Sequence, residues 1–316
     1  MIYTITLNPA IDKILFVDEF QKSRTNRLTR TLETIGGKGT HVSINLKLQG
    51  VQSTALGITL GKNGKKIVKL MEGWGVRVQL LHYDLAGMES RTNYEIVENT
   101  VHICTMLTER GPILPASVTS DLLNQVRGLL KAGDMLVLTG DASNVEDTTI
   151  YFRLTLVAKE LGAKVFLDAS GYYLKEGLKS GPFLIKPNYE ELCFLAGTDL
   201  KTEAEIVSAV KSLDRFNIPM IAMTWGGNGA IVKNGRDFYR VNPIQVNAVN
   251  ESGCGDAFLS AIIAGIEKNM NIEETLKAAA AVAAAAAESE STVGFDPNRA
   301  EYLKEMAVVL KIQSSD

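Results

Sequence analysis

Cysteine and histidine each occur only three times in 316 residues, and proline only eight times. Cys104, Cys193 and Cys254 are odd in number and far apart, which excludes a disulfide framework and points to a reducing compartment. His102 and Cys104 lie two apart in a β-rich stretch and so share a face. A zinc site needs two further ligands, and His41 and His82 bring no supporting spacing. Long apolar runs are also missing. The most apolar segment, Ala278–Ala287, falls well short of the roughly 20 residues a membrane-spanning helix needs. It reads as a close-packed internal helix. The stretch MIYTITLNPAID has no basic region ahead of its short apolar run, so it is not read as a signal peptide. The expectation is a cytoplasmic protein without a membrane partner. Neither sign of charge dominates: 33 Lys and Arg against 36 Asp and Glu give a net charge of −3. That disfavours a nucleic-acid binder without excluding a local basic pocket.

Several nucleotide motifs are lacking as well. Gly57-Ile58-Thr59-Leu60-Gly61-Lys62-Asn63 is one residue short of a Walker A loop and has no Ser or Thr to hold magnesium. The eukaryotic protein-kinase motifs are absent. No Gly-x-Gly-x-x-Gly follows the first strand, which argues against a nicotinamide oxidoreductase.

What is present is an ordinary globular composition, 46% hydrophobic and 22% charged, with strand and helix in alternation. Strands are expected at Ile2–Leu7, Thr54–Thr59, Met135–Thr139, Val165–Asp168, Phe183–Ile185 and Met220–Thr224. Helices are expected at Lys65–Trp74, Ser117–Lys131, Glu146–Leu161 and Thr202–Asp214, then at Ala257–Lys268, Ile272–Glu288 and Asn298–Lys311. Val42, Ile44, Leu46 and Leu48 alternate as a strand would. A helix from Gly39 to Gln49, closed by Gly50, suits a glycine-rich anion loop better and is preferred. Thr92–Val97 and Val101–Leu107, separated by Glu98-Asn99-Thr100, form a hairpin signal. With Lys13–Phe16 and Leu28–Leu32 they make a small accessory sheet. No repeat or linker interrupts the chain, so residues 1–316 read as one domain with insertions near 12–34 and 89–108.

Three glycine clusters carry the functional signal. Gly36-Gly37-Lys38-Gly39 opens the preferred helix, where close backbone amides and a mobile cation suit an anion; a loop with a solvated lysine is the plainer alternative. Thr224-Trp225-Gly226-Gly227-Asn228-Gly229 fits a tight hairpin turn at least as well as a ligand loop. Ser252-Gly253-Cys254-Gly255-Asp256 runs straight into an apolar helix, whose amino end would hold an anion such as a transferring phosphoryl group. Asp256 beside that anion makes sense as a base or as a group near a metal. Helix capping would account for the Asp but not for the glycines around it.

Taken in order, these residues resemble the ribokinase/PfkB family of carbohydrate kinases, and within it the phosphofructokinase-B branch. The resemblance rests on Thr6-Leu7-Asn8-Pro9-Ala10-Ile11-Asp12, Asn26-Arg27, Gly36–Gly39, Leu167-Asp168-Ala169-Ser170-Gly171, Lys186-Pro187-Asn188-Tyr189-Glu190-Glu191, Gly226–Gly229 and Gly253–Asp256. It implies an α/β, ribokinase-like fold: a mostly parallel central sheet flanked by helices, with a small β-sheet lid. It implies MgATP as phosphoryl donor and a sugar phosphate as acceptor, with 1-phosphofructokinase ahead of tagatose-6-phosphate kinase. Asp256 would take the hydroxyl proton, and Gly253, Cys254 and Gly255 would form the anion hole. Asp12, Gly37, Lys38 and Arg91 would bind the acceptor. Lys186, Asn188, Thr224, Gly226, Gly227, Gly229 and Ser289 would border the nucleotide, and Asn188 and Glu191 would organise Mg2+ through waters.

This chain departs from that pattern in four places. His41 stands where the family usually has Asn, and Asp141 stands where a serine is expected near the acceptor phosphate; both are placed in the acceptor pocket. Cys254 replaces a smaller residue. Ser289 and Ser291 fall where Asn and Gly are common. These changes keep open a kinase-fold binding or regulatory protein. Arg24, Arg27 and Arg30 form a basic patch that is either a solvated face or a phosphate contact. Cys193, Trp74 and Trp225 read as packing residues. Leu81, Ile96, Ile103 and Met106 would give the small sheet an apolar face, and a homodimer through the lid is expected to cover it.

Overall fold

A computed structural model describes residues 1–100 and 103–312. His102, one half of the His102–Cys104 pair, lies outside the described residues. The first third of the chain forms β1 (Ile2–Thr6), β2 (Ala10–Val17), β3 (Arg30–Gly36), α1 (Lys38–Leu48), β4 (Thr54–Leu60), α2 (Gly61–Gly73), β5 (Arg77–Val78), β6 (Leu81–Tyr83), β7 (Arg91–Glu98) and β8 (Ile103–Thr108). The middle forms α3 (Ala116–Leu129), β9 (Met135–Thr139), α4 (Ile150–Glu160), β10 (Lys164–Asp168), α5 (Gly171–Leu178), β11 (Leu184–Ile185), α6 (Tyr189–Ala196) and α7 (Glu203–Ser212). β12 (Met220–Thr224), β13 (Ala230–Asn234), β14 (Asp237–Val241), α8 (Cys254–Glu267), α9 (Ile272–Ala287), α10 (Pro297–Lys304) and β15 (Val309–Ile312) complete it.

Most strands join one large sheet in the order β15-β14-β13-β12-β11-β10-β9-β1-β4-β5, with β6 also on β4. It is parallel from β5 to β12 and antiparallel from β12 to β15. Its inner strands β1, β4 and β9 are buried on both faces, as a sheet covered on both sides requires. Leu136 and Leu138 turn to a core built with Val118, Leu122, Leu154 and Ile206 of α3, α4 and α7. Val137 turns to the opposite core, with Val42 and Leu46 of α1 and the inner faces of α8 and α9. Each such side chain contributes about 1.5–3 kcal/mol by leaving water.

A second sheet has the order β3-β2-β7-β8. β2 runs antiparallel to β3 and parallel to β7, and β7 pairs antiparallel with β8 as expected, with Val101 of the expected strand outside the described residues. The fold class expected from the sequence is therefore the one observed.

The preferred helix after Gly39 is observed as α1, and the competing alternation at Val42–Leu48 has a plain cause: Gly39–Leu46 are all buried, so a 3.6-residue apolar stripe has no polar face to contrast with. α4 begins four residues later than expected, because Asp147 folds a turn that accepts the Thr149 amide at 2.9 Å and Arg153 at 2.7 Å. The expected helix Asn298–Lys311 stops at Lys304, and Val309–Ile312 instead pairs with Phe238–Val241 to occupy the edge of the large sheet. Leu81 also moves: it pairs with Ile58 in the large sheet and is no part of the small one. Ile96 is buried rather than surface-facing.

Candidate active site

The ends of β1, β9, β11 and β12 contribute Thr6, Gly140 and Asp141, Lys186 and Thr224 to a cavity of about 980 Å³. Ligands of open α/β sheets sit at these carboxyl edges. The amino ends of α1 (Gly37, Lys38) and α8 (Gly253–Asp256) reach the same cavity, and Asp12, Arg91 and Asn93 face it from the small sheet. Residues that the sequence spreads over its whole length thus meet in one place.

The charge at its floor is organised by Asp168, which is fully buried at the end of β10. Lys38 Nζ donates to its Oδ1 at 2.9 Å, and Lys186 Nζ lies 3.1 Å from Oδ2. Burial works against the Asp168 charge, but the two ammonium groups outweigh it and hold the carboxyl below its ordinary range. Burial likewise opposes the charge on Lys38, yet Asp168, Glu191 and Asp256 raise its pKa. Lys38 is nonetheless 37% exposed, because its side chain opens on the cavity. Glu191 has no ion-pair partner within 4 Å among the described residues, whereas Asp168 has two lysines and Asp256 has His41. Burial pushes its pKa up, and Asp168 adds to that against the opposing pull of Lys38 and Lys186.

At α8 the chain turns through Gly253 in the left-handed region, φ 81°, where a Cβ would strike the Thr292 carbonyl. Asp256 is not the helix cap: Gly253 holds that position, and Asp256 sits in the first turn, where its charge favours the helix dipole. Its Oδ2 lies 2.8 Å from His41 Nδ1, and both side chains are buried. The Cys254 amide turns back toward Glu251 O at 3.4 Å, whereas the amides of Gly255 and Asp256 lie in the first turn, where no carbonyl of the helix itself reaches them. Gly255 packs against Lys186; a Cβ there would be 3.3 Å from Nζ. Burial pushes the Cys254 thiol up to about 12, with Glu251 and Asp256 adding to it, which keeps it protonated and unreactive.

The opposite end of the cavity is polar and largely paired. Asp12 accepts from Asn93 Nδ2 at 2.8 Å and from Thr292 Oγ1 at 3.2 Å. Gly36 is next to it because any Cβ would overlap that carboxylate. Arg91 donates to the carbonyls of Asn8 and Glu109, each at 3.0 Å, and stands 3.4 Å from Asp141 Oδ2. Asp141 also accepts from Asn8 Nδ2 at 3.1 Å, the Ser143 amide at 2.8 Å and the Ser143 hydroxyl at 2.7 Å. Thr6 Oγ1 and Asn93 Oδ1 are buried without a protein partner, and both residues line the cavity.

Thr224, Gly226, Gly227 and Gly229 line the remaining side, facing Ala280, Ala283, Ala284 and Ala287 of α9. Trp225 also lines it, stacked on Tyr189 at 5.7 Å between ring centres. Ser289 does not join: it is outside the lining, and its hydroxyl accepts from the Ser291 amide at 3.1 Å. Asn188 lines the cavity but spends its Oδ1 on the Glu191 amide at 2.7 Å, while Glu191 Oε2 accepts the Asn188 amide at 2.9 Å, a complete capping box. Arg24 and Arg27 are exposed, and Arg30 pairs with Glu290 at 2.8 Å, so that patch faces solvent. Cys193 packs against the core as expected.

Thr6, Asn93 and Asp168 carry no role in the sequence reading. Asn93 follows Arg91 by two positions on a strand, and that alternation alone places both on one face. Asp168 was inside a recognised motif, but its pairing with two lysines depends on the parallel register of β9, β10 and β11.

Residues 4–299 match the family model described as pfkB family carbohydrate kinase, and the chain belongs to that family. It is 30% identical over 315 residues to tagatose-6-phosphate kinase of Staphylococcus epidermidis, covering 99% of this chain and 100% of that protein. It is 30% identical over 277 residues to 1-phosphofructokinase of Bacillus subtilis, covering 88% of this chain and 89% of that one. The solved structure of phosphofructokinase-2 from Escherichia coli superposes with a TM-score of 0.89 at 22% identity, over 96% of this chain and 98% of that chain, which establishes the shared fold. Among the described residues, no helix is long and apolar enough to cross a membrane.

Proposed function

We propose that this carbohydrate kinase transfers the γ-phosphoryl group of ATP to a hydroxyl of a ketohexose phosphate. Fructose 1-phosphate, giving fructose 1,6-bisphosphate, is the first candidate acceptor, and tagatose 6-phosphate is the second. The observation that carries this reading is Asp256 at the amino end of α8, in one cavity with Lys38, Lys186 and Arg91. Asp256 takes the acceptor's hydroxyl proton as that oxygen forms its bond to the γ-phosphorus. The bond from phosphorus to the bridging oxygen breaks and ADP leaves. The Gly255 and Asp256 amides and the two lysines stabilise the charge on the transferring group.

The nucleotide lies along Thr224 and Gly226–Gly229 against the alanines of α9. Asp12, Asn93, Gly37 and the unpartnered Thr6 hydroxyl meet the sugar, and Arg91 meets its phosphate. The small sheet serves as a lid on the one domain of the chain. Mg2+ suits a buried carboxylate that lacks its own cation, and Glu191 is that group. Among the described residues no cluster of three or more acidic, His or Cys side chains forms a cage, but Mg2+ commonly takes only one or two carboxylates and completes its shell with water and phosphate. When bound it neutralises charge on the nucleotide phosphates.

The Arg91–Asp141 contact at 3.4 Å favours a second reading, an acceptor without a phosphate, because a carboxylate already answers the arginine. ADP release from MgATP over fructose 1-phosphate, fructose 6-phosphate, tagatose 6-phosphate, free ketoses and nucleosides separates the two. Saturable turnover with a ketohexose phosphate is expected. Turnover confined to unphosphorylated acceptors selects the second reading, and turnover with none of them overturns both.

A further inference from the structure

We propose that His41 is a positioning residue for phosphoryl transfer: it bridges the Ile35 carbonyl and the Asp256 carboxylate and keeps a proton between α1 and α8 that aims Asp256 at the acceptor. This rests on Asp256 as proton acceptor. The geometry leaves little freedom. His41 Nε2 is 2.9 Å from Ile35 O, and a carbonyl can only accept, so Nε2 carries a hydrogen. A neutral imidazole would then point a bare lone pair from Nδ1 at Asp256 Oδ2, 2.8 Å away. Two acceptors at that distance repel each other in a buried site. A second proton therefore belongs to the pair, giving an imidazolium facing a carboxylate. Among the described residues no hydrogen bond reaches Oδ1, and it remains the oxygen that receives the acceptor's proton.

The surroundings sustain that charge. Asp256 faces His41 from α8, which also carries the protonated Cys254, and Asp12 acts on it from β2. Of the other elements packed on α1, β3 carries Arg30 and Glu33, which are paired with Glu290 and Lys66, and β1 carries Tyr3. β4 and β9 carry no titratable side chain. Lys38 on the same helix is held by Asp168. Burial works against the imidazolium, but the hydrogen bond and charge of Asp256, then Asp12 and the Ile35 carbonyl, outweigh it and raise the pKa.

During turnover the acceptor O–H bond breaks, its proton moves to Asp256 Oδ1, the oxygen–phosphorus bond forms and ADP departs. Asp256 is then neutral beside an imidazolium, and the added proton is lost to water with product. As pH rises through the raised His41 value, the bridging proton leaves, the lone pair faces the carboxylate, and Asp256 loses its aim. kcat then falls on the alkaline side. An amide at position 41 does not titrate and has no such limb.

The chain has only three histidines, so imidazole resonances are few and the one lost in His41→Asn is assigned directly. In the wild type, His41 is expected to stay protonated above the free imidazole value, and Asp256→Asn is expected to shift it down. His41→Asn should lower neutral-pH kcat about ten- to a hundredfold, leave the ATP KM within about twofold, and erase the alkaline limb. His41→Gln is the second variant, and the wild-type titration needs none. A His41 resonance that titrates at or below the free value, or an alkaline limb that persists in His41→Asn, overturns the proposal. Near-wild-type turnover in Asp256→Asn overturns the underlying assignment of the base. An inactive Asp256→Asn with an unchanged His41→Asn pH profile overturns this inference alone.

Discussion

Lys38 and Asp168 are 130 residues apart in the chain and 2.9 Å apart in the fold. Lys186 reaches the other oxygen of the same carboxylate, so one buried anion ties the start of α1 to the loop after β11. Asp168→Asn leaves both ammonium groups beside a neutral amide. It is expected to cost about 3 kcal/mol, the lower end for breaking a buried pair because Lys38 opens on the cavity. Urea unfolding measures that loss. A change within 0.5 kcal/mol, about the size of a neutral surface substitution, would contradict it.

Asp141 is held by Asn8, Ser143 and Arg91 at the edge of the proposed acceptor site. Asp141→Ser removes the carboxylate that competes for Arg91. The KM for a phosphorylated acceptor is expected to fall about tenfold, equivalent to about 1.4 kcal/mol, with the KM for ATP unchanged. Steady-state kinetics with both substrates varied would show it. An unchanged acceptor KM would place the acceptor's phosphate away from Asp141.

Stability carries a second signature of the His41–Asp256 pair. A histidine whose native pKa is raised contributes stability that is fully present below the free imidazole value and is lost as pH rises through the native one. The difference in unfolding free energy between wild type and His41→Asn should therefore be largest in mild acid and shrink through the alkaline range. A difference that grows with pH would reverse the sign of the assignment.

Every residue of β8 is exposed, among them Ile103, Met106 and Leu107, on the outer edge of the small sheet. An open apolar edge invites pairing with a second strand, and a second copy of the chain is the proposed occupant. Sedimentation at micromolar concentration should give a dimer for the wild type and a monomer for Leu107→Asp. A monomeric wild type would contradict the dimer.

Strands such as Met135–Thr139 were legible because short apolar runs ending in Gly or Asp have few alternatives. The glycine clusters were legible because each turn or close approach excludes a side chain, as Gly253 does beneath Thr292. Val309–Ile312 was not, because a distant edge strand decides its conformation. Ser289 was placed by position in a pattern, and its local hydrogen bond turns it elsewhere. The motif position of His41 points to an acceptor contact, and only the three-dimensional meeting of α1 with α8 shows that it grips Asp256.

The most direct measurement is turnover by Asp256→Asn beside its affinity for ATP. The account predicts a kcat lower by about 10²–10⁴-fold, with ATP bound about as tightly as by the wild type. A variant that binds ATP and turns over near the wild-type rate would contradict it.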